Sequence, residues 1–218
     1  MKKLCKIVLV LSVIVVILLC GCSSATTKRF GQISELRDEL LCGSSESVTV
    51  EIISGIHENP FEIDGKCNPK RNFTVITVTG ENLLGVVNYR FTHDGKSYDG
   101  ALDKHPLKNS YSTELNIRVY NELLITITAE NVNVDIRAKT VRDEKTRSAD
   151  RALEVAQIRL ADKFKQYDKK AEIYLRYIKN PISTAQGYYW YVAIVPDRYT
   201  VFAVLVDSHS GEVVAVRE

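Results

Sequence analysis

The chain has 218 residues, of which 45% are hydrophobic and 26% charged, a balance that is ordinary for a globular protein. Its formal net charge of +2 leaves no basic excess of the kind that binds nucleic acid, so the composition argues against that class of partner. The length suffices for one large domain or two small ones, each able to bury a core.

The first 21 residues have the pattern of a secretory signal. A positively charged start is followed by an apolar run at residues 7–19, which is shorter than a membrane span needs. The run ends at Gly21-Cys22, which resembles the bacterial lipobox. In that family a peptidase cuts before the cysteine, and the sulfur receives a diacylglyceryl group. The resemblance therefore implies a signal peptide at residues 1–21 and lipidation of Cys22.

Two alternatives to this processing remain open. The N-terminal segment could be an uncleaved anchor, or Cys20 could be the acceptor in place of Cys22. A cut before Cys20 would leave Leu19 where the family has a small residue, so Cys22 is favoured.

Processing also changes the charge. The removed segment carries Lys2, Lys3 and Lys6 and no acids, so the mature chain has 26 basic and 27 acidic residues and a net charge of −1. The lipid would hold the protein at the cell membrane, on its extracytoplasmic face. Residues 22–29 are mostly small and polar, which indicates a short tether between the lipid and the folded body.

Residues 30–141 predict a short helix followed by a β domain. Ile33, Leu36, Leu40 and Leu41 recur with helical spacing, which favours a helix over residues 31–42. Alternating apolar residues then predict roughly seven strands up to residue 141, a number typical of a β-sandwich.

Two hairpins are expected within this β domain. Asp94-Gly95 is a strong turn signal between strand-like runs. Asn121-Glu122 separates two further runs, at residues 113–120 and 123–129, and predicts a second hairpin.

The C-terminal part predicts a different organisation. Residues 142–147 are charged with mixed sign and indicate a solvated linker between two domains. Ser148 is positioned to cap a helix that runs to residue 168, with an apolar stripe centred on Leu160. Strand-like runs follow at residues 172–178, 188–195, 199–207 and 212–217. The expected fold class is α+β, mainly β: a β-sandwich-like domain followed by a helix packed on a small antiparallel sheet.

Residues 148–218 resemble the PepSY-like domain of bacterial envelope proteins. The resemblance rests on Ala152 to Ala156 in the helix, Tyr191 to Ile194 in a strand, and Val206 to Val214 at the end. Ser210 stands where the family usually has threonine. The family is thought to bind or restrain peptidases, or to act as an extracytoplasmic interaction module, and it has no catalytic residues to carry over.

Cys42 and Cys67 are the cysteines that remain after processing and lipidation. An exported protein permits a disulfide between them, and the alternative is two free thiols. Cys67 with His57 or His105 is a conceivable catalytic dyad, although a structural or incidental cysteine is the favoured interpretation.

The aromatic run Tyr188-Tyr189-Trp190-Tyr191 is the candidate partner surface. In a strand, Tyr188 and Trp190 share one face and Tyr189 and Tyr191 share the other, so half of the run must lie in the core. The other half could contact a peptide or a sugar.

No motif of a hydrolase, phosphate-binding loop, dinucleotide fold or metalloenzyme is present, so we predict no catalytic residues, cofactor or metal. Asp207, His209 and Glu212 could ligate a metal, but their turn-forming neighbours explain them better. The sequence predicts a membrane-anchored, non-enzymatic module of the cell envelope that binds a protein or peptide partner. The alternatives are an unrecognised envelope hydrolase and a lipoprotein that binds a glycan or small ligand.

Overall fold

A computed structural model describes residues 30–45, 47–81, 83–168, 170–181 and 187–218. The described residues form thirteen strands and two short α-helices, after a single 3-10 turn at Phe30–Gln32. The strands are β1 (Ile33–Ser44), β2 (Val48–Glu58), β3 (Lys70–Gly80), β4 (Asn88–His93), β5 (Lys96–Ala101), β6 (Asp103–Lys104), β7 (Ser110–Leu115), β8 (Glu122–Ala129), β9 (Val132–Thr140), β10 (Glu172–Lys179), β11 (Tyr188–Asp197), β12 (Thr200–Asp207) and β13 (Val213–Arg217). The helices are α1 (Ala149–Arg159) and α2 (Ala161–Gln166).

β1 joins the two halves of the molecule. One of its edges pairs antiparallel with β2 along most of the strand. On the other edge, the first part of β1 pairs in parallel with β10, and Leu41 and Cys42 then pair antiparallel with β9. All thirteen strands therefore belong to one sheet.

The strands from β1 to β9 curl into a nearly closed barrel. β2, β3 and β7 follow β1 around the wall, and β7 pairs with β6. Leu102 alone separates β6 from β5, which pairs with β4. β8 and β9 complete the circuit back to β1. The interior is filled by buried aliphatic side chains such as Ile52, Ile76, Ile125 and Ile136.

β10 to β13 extend the sheet sideways from the first part of β1 as an antiparallel ladder. We call the side that contacts α1 and α2 the helix face and the opposite side the outer face. On the helix face, the two helices and β1 share a core with β10, β11 and β12. Its members include Leu36, Leu40, Leu153, Leu160, Phe164, Leu175, Trp190, Val192 and Val204.

The predicted fold class, a β-sandwich-like domain followed by a helix on a small antiparallel sheet, is wrong. The chain is mostly β, its first strands form a barrel-like sheet, and β10 to β13 are part of that sheet because β10 pairs with β1. Local alternation predicts strands, but it does not reveal that strands far apart in sequence become neighbours.

The helix predicted over residues 31–42 is also wrong, because these residues belong to the 3-10 turn and β1. β1 is flanked by strands on both edges and contributes to cores on both faces, so apolar residues occur on both of its sides. A bulge between Arg37 and Glu39 further shifts the alternation. The buried residues Ile33, Leu36 and Leu40 thereby acquire the spacing of three and four that imitates a helix.

The hairpin at Asp94-Gly95 is confirmed, since β4 pairs with β5 and both turn residues have positive φ, 49° and 73°. The hairpin at Asn121-Glu122 is wrong. β7 pairs with β3 and β6, whereas β8 pairs with β4 and β9, so the intervening residues 116–121 pass between different parts of the barrel wall.

Ser148 caps α1, as predicted, by accepting a hydrogen bond from Arg151 N at 3.3 Å. The preceding segment 142–147 lies against the sheet: the guanidinium of Arg142 is 5.7 Å from the Trp190 ring, and Trp190 Nε1 donates to Arg147 O at 3.0 Å. A division of the chain into two domains at this segment stays a prediction.

Leu160→Ala should destabilise the protein by about 2–5 kcal/mol, because Leu160 is buried in the core of the helix face and its removal leaves a cavity. Ile158→Ala is the matched control in the last turn of α1, two residues before Leu160, where the aliphatic side chain is 77% exposed. It should change stability by less than about 0.5 kcal/mol. Urea unfolding measures the stability of both variants. Equal losses of stability would contradict the burial of Leu160 in this core.

Candidate functional site

The structure splits the aromatic run Tyr188-Tyr189-Trp190-Tyr191 between the two faces of β11. Trp190 is fully buried on the helix face, and Tyr188 stacks there on Tyr177 with ring centroids 5.6 Å apart. Tyr189 and Tyr191 point to the outer face and are half-buried. Tyr189 and Tyr191 are therefore the members of the run that the outer face presents, whereas Tyr188 keeps partial exposure on the helix face.

An apolar groove of about 270 Å³ lies beside Tyr191 on the outer face. Small and aliphatic side chains of β12 and β13 form its floor, and the cationic Arg217 stands at its rim. Its lining residues are Pro181, Tyr191, Ala203, Val204, Leu205, Ala215, Val216 and Arg217. β13 borders the groove, and it pairs with β12 alone among the described strands.

Residues 59–69, which connect β2 to β3 and which we call the strap, cover the neighbouring part of the outer face. Ile63 packs on the small cluster formed by Tyr174, Ala193, Val195 and Ala203. Phe61 stacks on the Tyr174 ring at a centroid distance of 5.8 Å. The outer face therefore packs against aromatic and aliphatic side chains of an irregular segment.

Glu172 fastens the strap to the sheet. This fully buried carboxylate accepts hydrogen bonds from Asp64 N at 2.9 Å and Gly65 N at 3.1 Å, and its second oxygen accepts one from Tyr174 Oη at 2.7 Å. Burial raises the pKa of Glu172, and the negative charge of Glu58 adds to the rise, against the lowering effect of the three hydrogen bonds. Burial and the bond to Glu172 likewise raise the pKa of Tyr174.

Glu58 is a second fully buried carboxylate at the same end of the sheet. Its side chain and the hydroxyl of the buried Ser34 both lie within hydrogen-bonding reach of the Cys67 thiol. The thiol of Cys67 is close enough for the charge of Glu58 to affect it. No local pattern in the sequence indicates this cluster, because its residues come from two strands and the strap.

The structure does not bring Cys42 and Cys67 together, and both are free thiols. Cys67 Sγ lies 3.6 Å from Ile33 O at the start of β1, whereas Cys42 is nine residues further along that strand, a distance of roughly 30 Å. Burial is the main cause that raises the pKa of each thiol. A raised pKa disfavours the thiolate form of both cysteines.

The histidines do not complete a dyad with Cys67. His57 lies near the end of β2, and its ring contacts the Phe73 ring edge-on at a centroid distance of 4.7 Å. His105 accepts hydrogen bonds from Leu107 N and Lys108 N, both at 3.1 Å, in the connection between β6 and β7. That connection is at the opposite end of the barrel from the strap.

Asp207, His209 and Glu212 belong to the turn between β12 and β13. Burial opposes ionisation of Asp207, but bonds from Ser210 N and His209 N outweigh it and hold the pKa of this carboxyl below its usual range. His209 pairs instead with Asp143 at 3.1 Å. Within the described ranges, no group of three or more histidine, cysteine, aspartate or glutamate residues could hold a metal ion.

A polar groove of about 400 Å³ crosses the outside of the barrel at β4, β5, β8 and β9. Arg90 and Asp99 line it together with asparagines and threonines. Its aromatic member, Tyr89, is only 6% exposed and offers no open ring face on which a sugar could stack.

Cys22, the predicted site of lipidation, lies outside the described residues. No helix in the part of the chain that the structure describes is long and apolar enough to span a bilayer.

No protein family model matches the chain, and searches of curated proteins and of solved structures returned no significant match. The lipobox and the PepSY-like resemblance stay predictions.

Glu172→Gln tests the buried carboxylate through pH. Because the pKa of Glu172 is raised in the folded state, its contribution favours folding below the unfolded value of about 4.3 and is lost as pH rises through the folded value. The difference in unfolding free energy between the glutamine variant and the wild type should therefore move in favour of the variant as pH rises through this window. Glu62→Gln, an exposed position in the strap, should show no such trend, and a flat difference for Glu172→Gln would contradict the assignment.

Proposed function

We propose that this protein is a lipid-anchored, extracytoplasmic binding module of the cell envelope, and that it contacts a protein or peptide partner through the apolar groove on the outer face. The observation that carries the proposal is the groove itself, where Tyr191, Ala203 and Ala215 form an apolar surface beside the outermost strand β13. Apolar concave surfaces on an otherwise polar exterior are characteristic of partner sites.

The architecture of the outer face supports a peptide rather than a polar ligand. The strap already places Phe61 and Ile63 on the adjoining part of this face, so an extended segment with aromatic and aliphatic side chains fits its chemistry. Association there would bury aromatic surface, which is the usual source of affinity in protein interfaces.

The groove can be tested with a photo-crosslinking amino acid at Ala215, which lines it and is half-buried. Irradiation of cells carrying this variant should yield a discrete protein adduct. The same probe at Leu124, which is 52% exposed on the barrel wall, should not yield that adduct. Adducts of equal yield at both positions, or none at Ala215, would refute the groove as the contact site.

A charge placed in the groove provides an independent check. Ala215→Arg should abolish the adduct obtained with the probe at Tyr189, which shares the outer face but does not line the groove. Because Ala215 is only half-buried, thermal unfolding should show that the variant is still folded. An unchanged adduct in a folded Ala215→Arg protein would contradict the proposal.

Lipid attachment is tested at the cysteine. Cys22→Ser should abolish incorporation of labelled palmitate and should leave a precursor that retains residues 1–21, because the serine hydroxyl cannot replace the acylated sulfur. Cys20→Ser is the control and should be labelled like the wild type. Labelling that persists in Cys22→Ser and disappears in Cys20→Ser would move the processing site to Cys20.

A further inference from the structure

Four segments meet at one end of the molecule, which we call the tether end. They are the start of β1, the strap, the connection from α2 to β10, and the turn from β11 to β12. Cys67 Sγ lies 3.6 Å from Ile33 O, which places the strap against the start of β1. A Cβ on Gly65 would lie 2.8 Å from Pro196 O and 3.0 Å from Lys170 O, so the strap also contacts the other two segments.

Two aromatic side chains with exposed surface lie at this end. Tyr199, in the turn from β11 to β12, is 92% exposed, and Phe61, in the strap, is 42% exposed. Tyrosine and other amphipathic rings favour the boundary between water and lipid.

The chain enters the folded body at this same end. Phe30, the first described residue, follows Cys22 by eight residues, and such a segment spans at most about 28 Å when fully extended. A lipid on Cys22 therefore holds the tether end within about 28 Å of the bilayer. A short linker of this kind keeps the body at a high effective concentration beside the membrane, so weak contacts suffice for docking.

We propose that the tether end lies on the bilayer surface, with Tyr199 and Phe61 in the interfacial region. The inference rests on the lipid attachment contained in the proposed function. It fixes the orientation of the body, because the opposite end of the barrel then points away from the membrane.

The described residues of the tether end carry exposed basic and acidic side chains in equal number, four of each. They are Lys66, Lys70, Lys170 and Arg198 against Glu62, Asp64, Asp168 and Asp197. Docking through these residues therefore does not require anionic lipid.

Tryptophan fluorescence in brominated vesicles tests the orientation. Tyr199→Trp reports on the tether end. Leu107→Trp is the matched control, because Leu107 is 91% exposed in the connection from β6 to β7. This connection leads into Ser110, which pairs with Thr79 at the far end of β3, about 30 Å from the strap. The native Trp190 is buried and contributes the same background to both variants.

The two variants are prepared in two ways, as acylated protein and as a chain whose residues 1–22 are replaced by a histidine tag that binds a nickel-chelating lipid. Vesicles contain phosphatidylcholine brominated near the headgroup. Tyr199→Trp should lose emission in both preparations and at high salt, whereas Leu107→Trp should keep it.

Three outcomes would overturn the proposal: quenching of both variants, quenching of neither, or quenching of Leu107→Trp alone. The tagged preparation tests the orientation even if no lipid is found on Cys22. Failure of lipid attachment, seen by palmitate labelling, is thus distinguished from failure of the orientation.

Discussion

The pairing of β1 along both of its edges is the constraint on which the rest of the structure depends. Leu41 lies in the core of the barrel, while Leu36 and Leu40 lie in the core beneath the helices, so one strand contributes to both. Without β10, the N–H and C=O groups of residues 33–37 on that edge would lack strand partners, which is costly in a buried position. The two cores are therefore coupled through the backbone of a single strand.

This coupling creates the polar junction at the tether end. β1, β2 and β10 all begin or end there, and the strap passes over this end although it connects the neighbouring strands β2 and β3. Its amide groups need acceptors in a place that no strand supplies, and Glu172 provides one carboxylate for both Asp64 N and Gly65 N. A buried carboxylate is expensive unless its bonds are made, so Glu172 and the strap stabilise one another. Glu58 is a second buried carboxylate at this junction, and its side chain lies beside the Cys67 thiol of the strap.

The sequence revealed the local features well and the long-range features poorly. The hairpin at Asp94-Gly95 and the cap at Ser148 follow from backbone chemistry within a few residues, and both were predictable. β1 is not predictable as a strand, because burial on both of its faces and a bulge remove the alternation by which a strand is identified. The aromatic run was correctly divided between two faces, but the groove beside Tyr191 depends on β12 and β13. Glu58 and Glu172 are 114 residues apart, and no local pattern marks them as neighbours.

The two proposals together constrain the kind of partner that could reach the groove. Leu205 is six residues along β12 from Tyr199, a rise of about 20 Å. If Tyr199 lies in the interfacial region of the bilayer, the groove opens parallel to the membrane, about 20 Å above it, rather than toward bulk solvent. A partner that is itself held at the same membrane has a segment at this height and gains from confinement to two dimensions, since tethering raises its effective concentration. Together the two proposals predict a partner with a juxtamembrane segment, for which the modest apolar area of the groove would be enough.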